Sequence, residues 1–145
     1  MVSNENLKDN HQNLEFSDGL GGTAQIFWTG GFDSTFRIVQ LSTLKNNIQP
    51  YYLSDERKSE NYELKAIQTI ESILIHHPLT KAHFLPLIIV KKSERKFNTD
   101  ISDAYRRLLE KSFIGDQYDW LGVFAIDHPG IELCVHKDDK AINIY

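Results

Sequence analysis

Hydrophobic and polar positions alternate along the chain between two kinds of segment. Four short apolar stretches have the length and composition of β-strands, and between them lie longer segments with apolar residues three or four positions apart. The predicted strands are residues 24–28, 49–53, 84–90 and 131–135, and the predicted helices are residues 34–46, 60–75, 102–113 and 116–126. This alternation predicts an α/β fold, with an open parallel Rossmann-like sheet of about four to five strands and helices on both faces.

The third predicted strand contains a feature that weakens its assignment. Residues 84–90 form a nearly continuous apolar run, which is typical of a parallel strand covered on both faces. Pro86 lies inside that run and removes one backbone donor from the ladder. We therefore expect a strand here that is less regular than the first two.

The ends of the chain divide it into an arm and a domain. Residues 1–20 are rich in polar residues and predict a flexible arm, in which Leu14 and Phe16 are the candidate docking points. Residues 21–145 fit one α/β domain, complete or truncated, because 145 residues accommodate one domain.

Composition excludes several classes of protein. The net charge of -4 argues against a broad nucleic-acid surface. Cys134 is the single cysteine, so the chain forms no internal disulfide and no cysteine-based zinc site. No apolar run approaches the length of a membrane span, and the N-terminus has no secretory signal. We expect a cytoplasmic protein with no membrane partner.

The most informative segment joins the first predicted strand to the first predicted helix. An apolar strand runs through Gly30 and Gly31 into a helix N-terminus, where backbone N–H groups and the helix dipole converge on an anion. Thr29, Ser34 and Thr35 add hydroxyl groups, and the Asp33 carboxylate could hold a metal ion. Since ligands of parallel sheets bind at the carboxyl ends of strands, this turn predicts a site for a nucleotide phosphate.

Two other phosphate-binding motifs fit less well. The chain has no Walker sequence with Gly-Lys-Ser or Gly-Lys-Thr. Residues 19–24 match the dinucleotide fingerprint as a string, but they precede the first strand, whereas the fingerprint must follow one. We interpret that string as a flexible lead-in.

The sequence Thr-Gly-Gly-Phe-Asp-Ser at residues 29–34 resembles the PP-loop motif of the ATP pyrophosphatases, usually Ser-Gly-Gly-x-Asp-Ser. Residues 52–59 and 62–67 are loosely similar to the strand end, polar loop and Glu-Leu-x-Ala helix of the 7-cyano-7-deazaguanine synthase branch, which belongs to queuosine biosynthesis. The resemblance implies an adenine nucleotide alpha-hydrolase-like fold. It also implies ATP and Mg²⁺ as cofactors.

The resemblance assigns roles to the loop residues. Gly30, Gly31 and Phe32 would supply backbone N–H groups to the phosphates of ATP, and Thr29 and Ser34 would supply hydroxyl groups, with Thr35 beside them.

Three further residues have alternative roles. Asp33 would bind Mg²⁺ and, with Ser34, is a candidate catalytic residue; capping the helix is the alternative for Asp33. Tyr52 and Leu53, at the end of the second strand, would lie beside adenine, with core packing as the alternative.

The implied reaction is ATP-dependent adenylation of a small-molecule substrate with release of pyrophosphate, as in a ligase. The synthase branch carries a cysteine cluster for structural zinc, and this chain has Cys134 alone, in an apolar run that predicts a buried, inert thiol. The alternative is therefore a non-catalytic nucleotide-binding or partner-docking module derived from such an enzyme.

Two predictions concern partners. A tRNA-modifying thiolase is disfavoured by the acidic charge and the single cysteine, although Lys91, Lys92, Arg95 and Lys96 form a basic cluster. A homodimer would cover the edge of an incomplete sheet.

Overall fold

The structure is a computed structural model, and it describes residues 21–135. Its strands are β1 (Thr23–Phe27), β2 (Asn47–Ser54), β3 (His83–Phe84) and β4 (Ile88–Lys91), and all of their pairings are parallel. Its helices are α1 (Phe32–Ser42), α2 (Glu60–Ile75), α3 (Thr99–Leu109) and α4 (Gln117–Asp127), with a 3-10 turn at Lys92–Glu94. The predicted α/β class with a parallel sheet is confirmed.

β2 lies at the centre of the sheet. Its first edge pairs with β1 along all of β1, with Ile26 opposite Pro50. Its other edge pairs with β3 at residues 47–48 and with β4 at residues 51–54, so β3 and β4 occupy successive parts of one edge.

The prediction of one continuous strand at residues 84–90 is wrong, because the strand breaks around Pro86. Proline has no N–H group to donate to β2. In the gap, the side chain of Gln49 on β2 donates from Nε2 to the Pro86 carbonyl oxygen at 2.9 Å. A side-chain bond thus spans the position where the backbone ladder stops.

The prediction of a last strand at residues 131–135 is also wrong in extent. The segment forms a single parallel bridge, between Glu132 and Ile26 of β1. Glu132 donates its N–H to Gln25 at 2.8 Å, and Phe27 donates to the Glu132 carbonyl oxygen at 3.0 Å. The segment therefore lies beside β1 on the edge away from β2, so that β1 has β2 on one side and residues 131–135 on the other.

Helices cover both faces of the sheet, as predicted. Alternate strand residues form a buried core with α1 and α2; its members are Ile26, Trp28, Ile38, Leu41, Ile48, Tyr52, Ile67 and Leu74. On the opposite face, the rings of Phe27 and Tyr51 contact Phe124 of α4 at 5.4 Å and 5.2 Å. α3 packs on α4.

Three helices differ from their predicted bounds, α4 by a single residue at each end. α1 begins two residues before residue 34 and ends at Ser42 instead of residue 46, because the chain must turn to enter β2 at Asn47. α3 begins at Thr99 instead of residue 102, because the Asn98 side chain accepts the N–H of Ile101 at 3.1 Å and caps the helix there.

The remaining expectations concern the membrane and the arm. Within residues 21–135, the structure has no helix that is both long enough and apolar enough to cross a membrane. The predicted arm, with Leu14 and Phe16, lies outside the described residues.

Candidate nucleotide site

The loop at residues 29–34, here called the phosphate loop, follows β1 directly. The backbone N–H of Trp28 donates to the Tyr51 carbonyl oxygen on β2 at 2.8 Å, and the chain then leaves the sheet. Gly30 has a φ of +74°, a left-handed conformation that favours glycine. Gly31 is the N-cap of α1, which starts at Phe32.

The hydroxyl groups of the phosphate loop bond to one another. Thr29 Oγ1 and Ser34 Oγ lie 3.1 Å apart, and Ser34 Oγ also accepts the N–H of Thr29 at 3.3 Å. Gly31 donates its N–H to Thr29 Oγ1 at 3.3 Å. The predicted hydroxyls are thus brought together, but they hold the shape of the loop, and Ser34 is buried. Thr35 accepts a hydrogen bond from Trp28 Nε1 at 3.0 Å.

The N-terminus of α1 presents backbone donors. Its first intrahelical bond runs from the N–H of Thr35 to the carbonyl oxygen of Gly31 at 3.1 Å. The N–H groups of Phe32, Asp33 and Ser34 come before that bond, so no carbonyl of an earlier turn accepts them. Together with the positive end of the helix dipole, they suit an anion.

Asp33 does not cap the helix. It lies in the first turn of α1, and Gly31, not Asp33, occupies the cap position, with no side-chain bond there. Among residues 21–135, its carboxylate forms no hydrogen bond or ion pair. The capping alternative is therefore wrong, and the carboxylate remains available.

Magnesium fits this carboxylate only together with a phosphate ligand. The described residues contain no group of three or more His, Cys, Asp or Glu side chains arranged around a metal position. Mg²⁺ commonly takes one or two carboxylates and completes its shell with phosphate oxygens and water. Asp33 meets that minimum as a single ligand.

A cleft of about 520 Å³ lies at the carboxyl ends of β1 and β2. Among the predicted site residues, its walls include Thr29, Gly30, Gly31, Tyr52 and Leu53.

The other predicted residues, 32–35, lie beside this cleft and not in its wall. The side chain of Phe32 is 83% exposed and stacks on Phe36 at 6.4 Å. The ring of Phe32 therefore forms no part of the cleft wall.

Tyr52 belongs to the core instead of offering its ring to a ligand. The residue is 1% exposed, and its hydroxyl donates to Glu63 Oε2 at 2.6 Å. Burial raises the pKa of Tyr52, and the hydrogen bond to Glu63 raises it further. Tyr52 therefore lines the cleft as part of its packed wall, beside Tyr51 and Leu53 of the same strand.

A charged network closes the β2 side of the cleft. Arg57 forms ion pairs with Asp55 at 2.6 Å and with Glu63 at 3.2 Å, and Glu63 also accepts the Tyr52 hydroxyl. All of these residues line the cleft. Asp55 and Arg57 lie in the polar segment after β2, and no spacing in the sequence joins them to Glu63 on α2.

Glu60, the first residue of α2, fixes the loop that follows β2. Its carboxylate accepts Ser54 Oγ at 2.7 Å and the backbone N–H of Glu56 at 3.0 Å. Glu56 has a φ of +63°, which costs a non-glycine residue roughly 1–2 kcal/mol. The Glu60 bonds offset that cost and hold the loop against the cleft.

Half of the basic cluster lines the cleft. Lys92 and Arg95 form part of its wall, and Lys92 has no ion pair among residues 21–135. The guanidinium of Arg95 lies 5.3 Å from the centre of the Phe97 ring. Lys96, by contrast, pairs with Asp127 at 2.6 Å. The cluster that suggested a tRNA surface therefore contributes two of its cations to the cleft that the phosphate loop also lines.

Cys134 lines the same cleft and is half-buried. Burial raises the pKa of its thiol; the Glu132 carboxylate and, more weakly, Asp33 raise it too, whereas Arg37 opposes them. A raised pKa keeps the thiol protonated and poorly nucleophilic at neutral pH. The predicted inertness is thus consistent with the electrostatics, although the side chain is less buried than expected.

Comparison of the chain with family models, with curated proteins and with solved structures found no match.

Proposed function

We propose that this chain is an ATP-binding protein of the PP-loop type, which holds the terminal phosphates on residues 29–34. One observation carries the proposal. The free N–H groups at the start of α1 lie beside a cleft of about 520 Å³ whose wall also includes Lys92 and Arg95. The backbone donors and the helix dipole favour a phosphate group at the loop. Lys92 and Arg95 offset the charge of Asp116 and Asp119, which line the same cleft.

The strand order supports the same position. The chain passes from β1 to β2 on one side, and later returns to residues 131–135 on the other side of β1. The carboxyl end of β1 is therefore a point where strand order reverses, and open parallel sheets bind ligands at such points. This agrees with the Rossmann-like, adenine nucleotide alpha-hydrolase-like fold that the resemblance implies.

The residues take the following roles in this proposal. The N–H groups of Phe32 and Asp33 bind phosphate oxygens, while Thr29 and Ser34 hold the loop in shape through their mutual hydrogen bond. Asp33 would hold Mg²⁺, which supplies charge neutralisation when bound. Leu53 and the β2 backbone contact the adenine end.

The proposed reaction is adenylation. A carboxylate oxygen of the substrate forms a bond to the α-phosphorus, and the bond from that phosphorus to the bridging oxygen breaks. Pyrophosphate leaves with the electron pair. Lys92 and Arg95 stabilise the developing charge by electrostatic preorganisation.

A second candidate is nucleotide binding without turnover. Ser34, one of the two candidate catalytic residues, is buried and bonded within the loop. The described residues also hold no cluster of metal ligands. A regulatory or partner-docking module would need only the binding part of the site.

One experiment separates the two. The chain is titrated with Mg-ATP in a calorimeter, and AMP and pyrophosphate are measured in parallel with candidate carboxylic acids. Binding with both products supports the ligase, and binding without products supports the module. Absence of binding to ATP and to AMP would contradict both.

A further inference from the structure

A second cavity, of about 650 Å³, lies behind the proposed nucleotide cleft. It is bounded by the outer face of β1, by α3 and α4, and by residues 131–135. Its walls are Phe27, Ile101, Ala104, Tyr105, Leu108, Ile114, Tyr118, Leu121, Gly122, Ala125, Ile131, Leu133 and Val135. Among residues 21–135, this wall contains no charged side chain, and its polar side-chain groups are the hydroxyls of Tyr105 and Tyr118.

The two cavities adjoin and share a wall. Six residues line both of them, namely Phe27, Tyr105, Tyr118, Leu121, Leu133 and Val135. A substrate that occupies both cavities would place an apolar body in the second cavity and one polar end in the cleft that Lys92 and Arg95 line.

The wall offers little to a polar ring system. The Tyr105 hydroxyl is already committed to the Ile114 carbonyl oxygen, at 3.2 Å. A heterocycle with several donors and acceptors would lose its hydrogen bonds to water here without replacing them. A hydrocarbon body would instead gain by leaving water.

We infer that this cavity binds the hydrocarbon body of the substrate, so that the substrate is an alkyl or aryl carboxylic acid and not a polar heterocyclic acid such as a deazaguanine carboxylate. Its role as a substrate site rests on the proposed function, but its binding preference does not. The carboxylate end would reach the cleft, where Lys92 and Arg95 attract an anion and Asp116 and Asp119 oppose it, so the site must hold the carboxylate on the side of the two cations.

The test compares two acids with opposite bodies. The full chain is titrated with octanoate and with gluconate, each with and without Mg-ATP. Ala104 on α3 and Ala125 on α4 line only the apolar cavity. Ala104→Phe and Ala125→Phe should fill it and weaken octanoate binding by about tenfold or more, with ATP affinity unchanged.

Ala66→Phe on α2 is the matched control, because Ala66 lines neither cavity. It should leave octanoate affinity unchanged. Retained ATP binding shows that each variant is folded. If a filling variant does not fold, the inference is tested by the preference of the unmodified chain for octanoate over gluconate.

Three results would overturn the inference. They are absence of octanoate binding in a chain that binds ATP, equal affinity for gluconate, and undiminished octanoate binding in both filled variants. Octanoate binding without ATP binding would contradict the proposed function while the cavity's preference stands.

Discussion

Gly30 lies against the backbone of Glu63, so closely that a Cβ atom on Gly30 would come within 2.9 Å of the Glu63 carbonyl oxygen. Gly30 also has a φ of +74°. Contact and backbone conformation both require glycine, and the phosphate loop is thereby fixed against α2 as well as against β1.

Gly30→Ala should therefore destabilise the fold. A left-handed residue with a Cβ costs roughly 1–2 kcal/mol, and the steric conflict with Glu63 adds to that. Urea unfolding measures the loss. Gly22→Ala is the control, since a Cβ there meets nothing within 4 Å, and it should leave stability nearly unchanged. Equal effects in both variants would contradict the account of Gly30.

Arg37 and Glu132 form a paired ion contact that joins α1 to the segment beside β1. The guanidinium donates from Nε at 2.6 Å and from Nη2 at 2.9 Å to the two carboxylate oxygens. A double-mutant cycle with Arg37→Gln and Glu132→Gln should give a coupling of about 0.5–1 kcal/mol, because both groups are partly exposed.

The Asp103–Arg106 pair on α3 serves as the comparison for that cycle. Its side chains are more exposed, and it forms a single contact at 3.1 Å. Its coupling should be smaller and should vanish sooner with added salt. A larger coupling energy for the Asp103–Arg106 pair than for the Arg37–Glu132 pair would contradict a stabilising effect of the two-bond geometry.

Tyr52→Phe should lower stability by about 1–2 kcal/mol, because it removes a buried hydrogen bond to the Glu63 carboxylate. Tyr62→Phe on α2 is the control, since Tyr62 is 79% exposed. Thermal unfolding of the two variants gives the difference. The same midpoint for both would mean that the hydroxyl of Tyr52 adds no stability.

Thiol alkylation reports on Cys134 alone, because it is the single cysteine of the chain. Its raised pKa predicts slow alkylation by iodoacetamide at neutral pH, with a rate that still climbs at a pH where an unfolded chain has reached its plateau. Glu132→Gln removes a negative neighbour and should shift the pH profile of the rate downward. A profile that matches the unfolded chain would refute the electrostatic picture.

Much of the fold could be predicted from residue patterns. The apolar stretches at β1 and β2 and the helical spacing of α2 gave correct elements, because local pattern and tertiary packing agree there. The prediction of the third strand failed because one proline interrupted a favourable apolar run. The Gln49 side chain bonds to the Pro86 carbonyl oxygen in the gap, a role that no local pattern indicates.

The sequence predicted the turn at residues 29–34 but not the other residues that line the cleft. Gly30 and Gly31 indicate a turn at the end of β1, and the structure places them in the cleft wall. Lys92, Arg95 and Glu63 reach the same cleft from distant elements, and pairing between such elements leaves no signal in spacing. Tyr52 was assigned beside adenine because it ends β2, yet the pleat turns its ring into the core.

The phosphate loop is tested most directly by Gly31→Asp, measured as Mg-ATP affinity in a calorimeter. Gly31 is the N-cap of α1, with a φ of -76°, a position where aspartate is favourable, so the variant should fold. Its carboxylate would occupy and repel the place of a phosphate, and affinity should fall by about tenfold or more. Gly22→Asp, with the same change in charge, should bind ATP as the unmodified chain does. Undiminished ATP binding by a folded Gly31→Asp chain would contradict the assignment of residues 29–34 as the phosphate site.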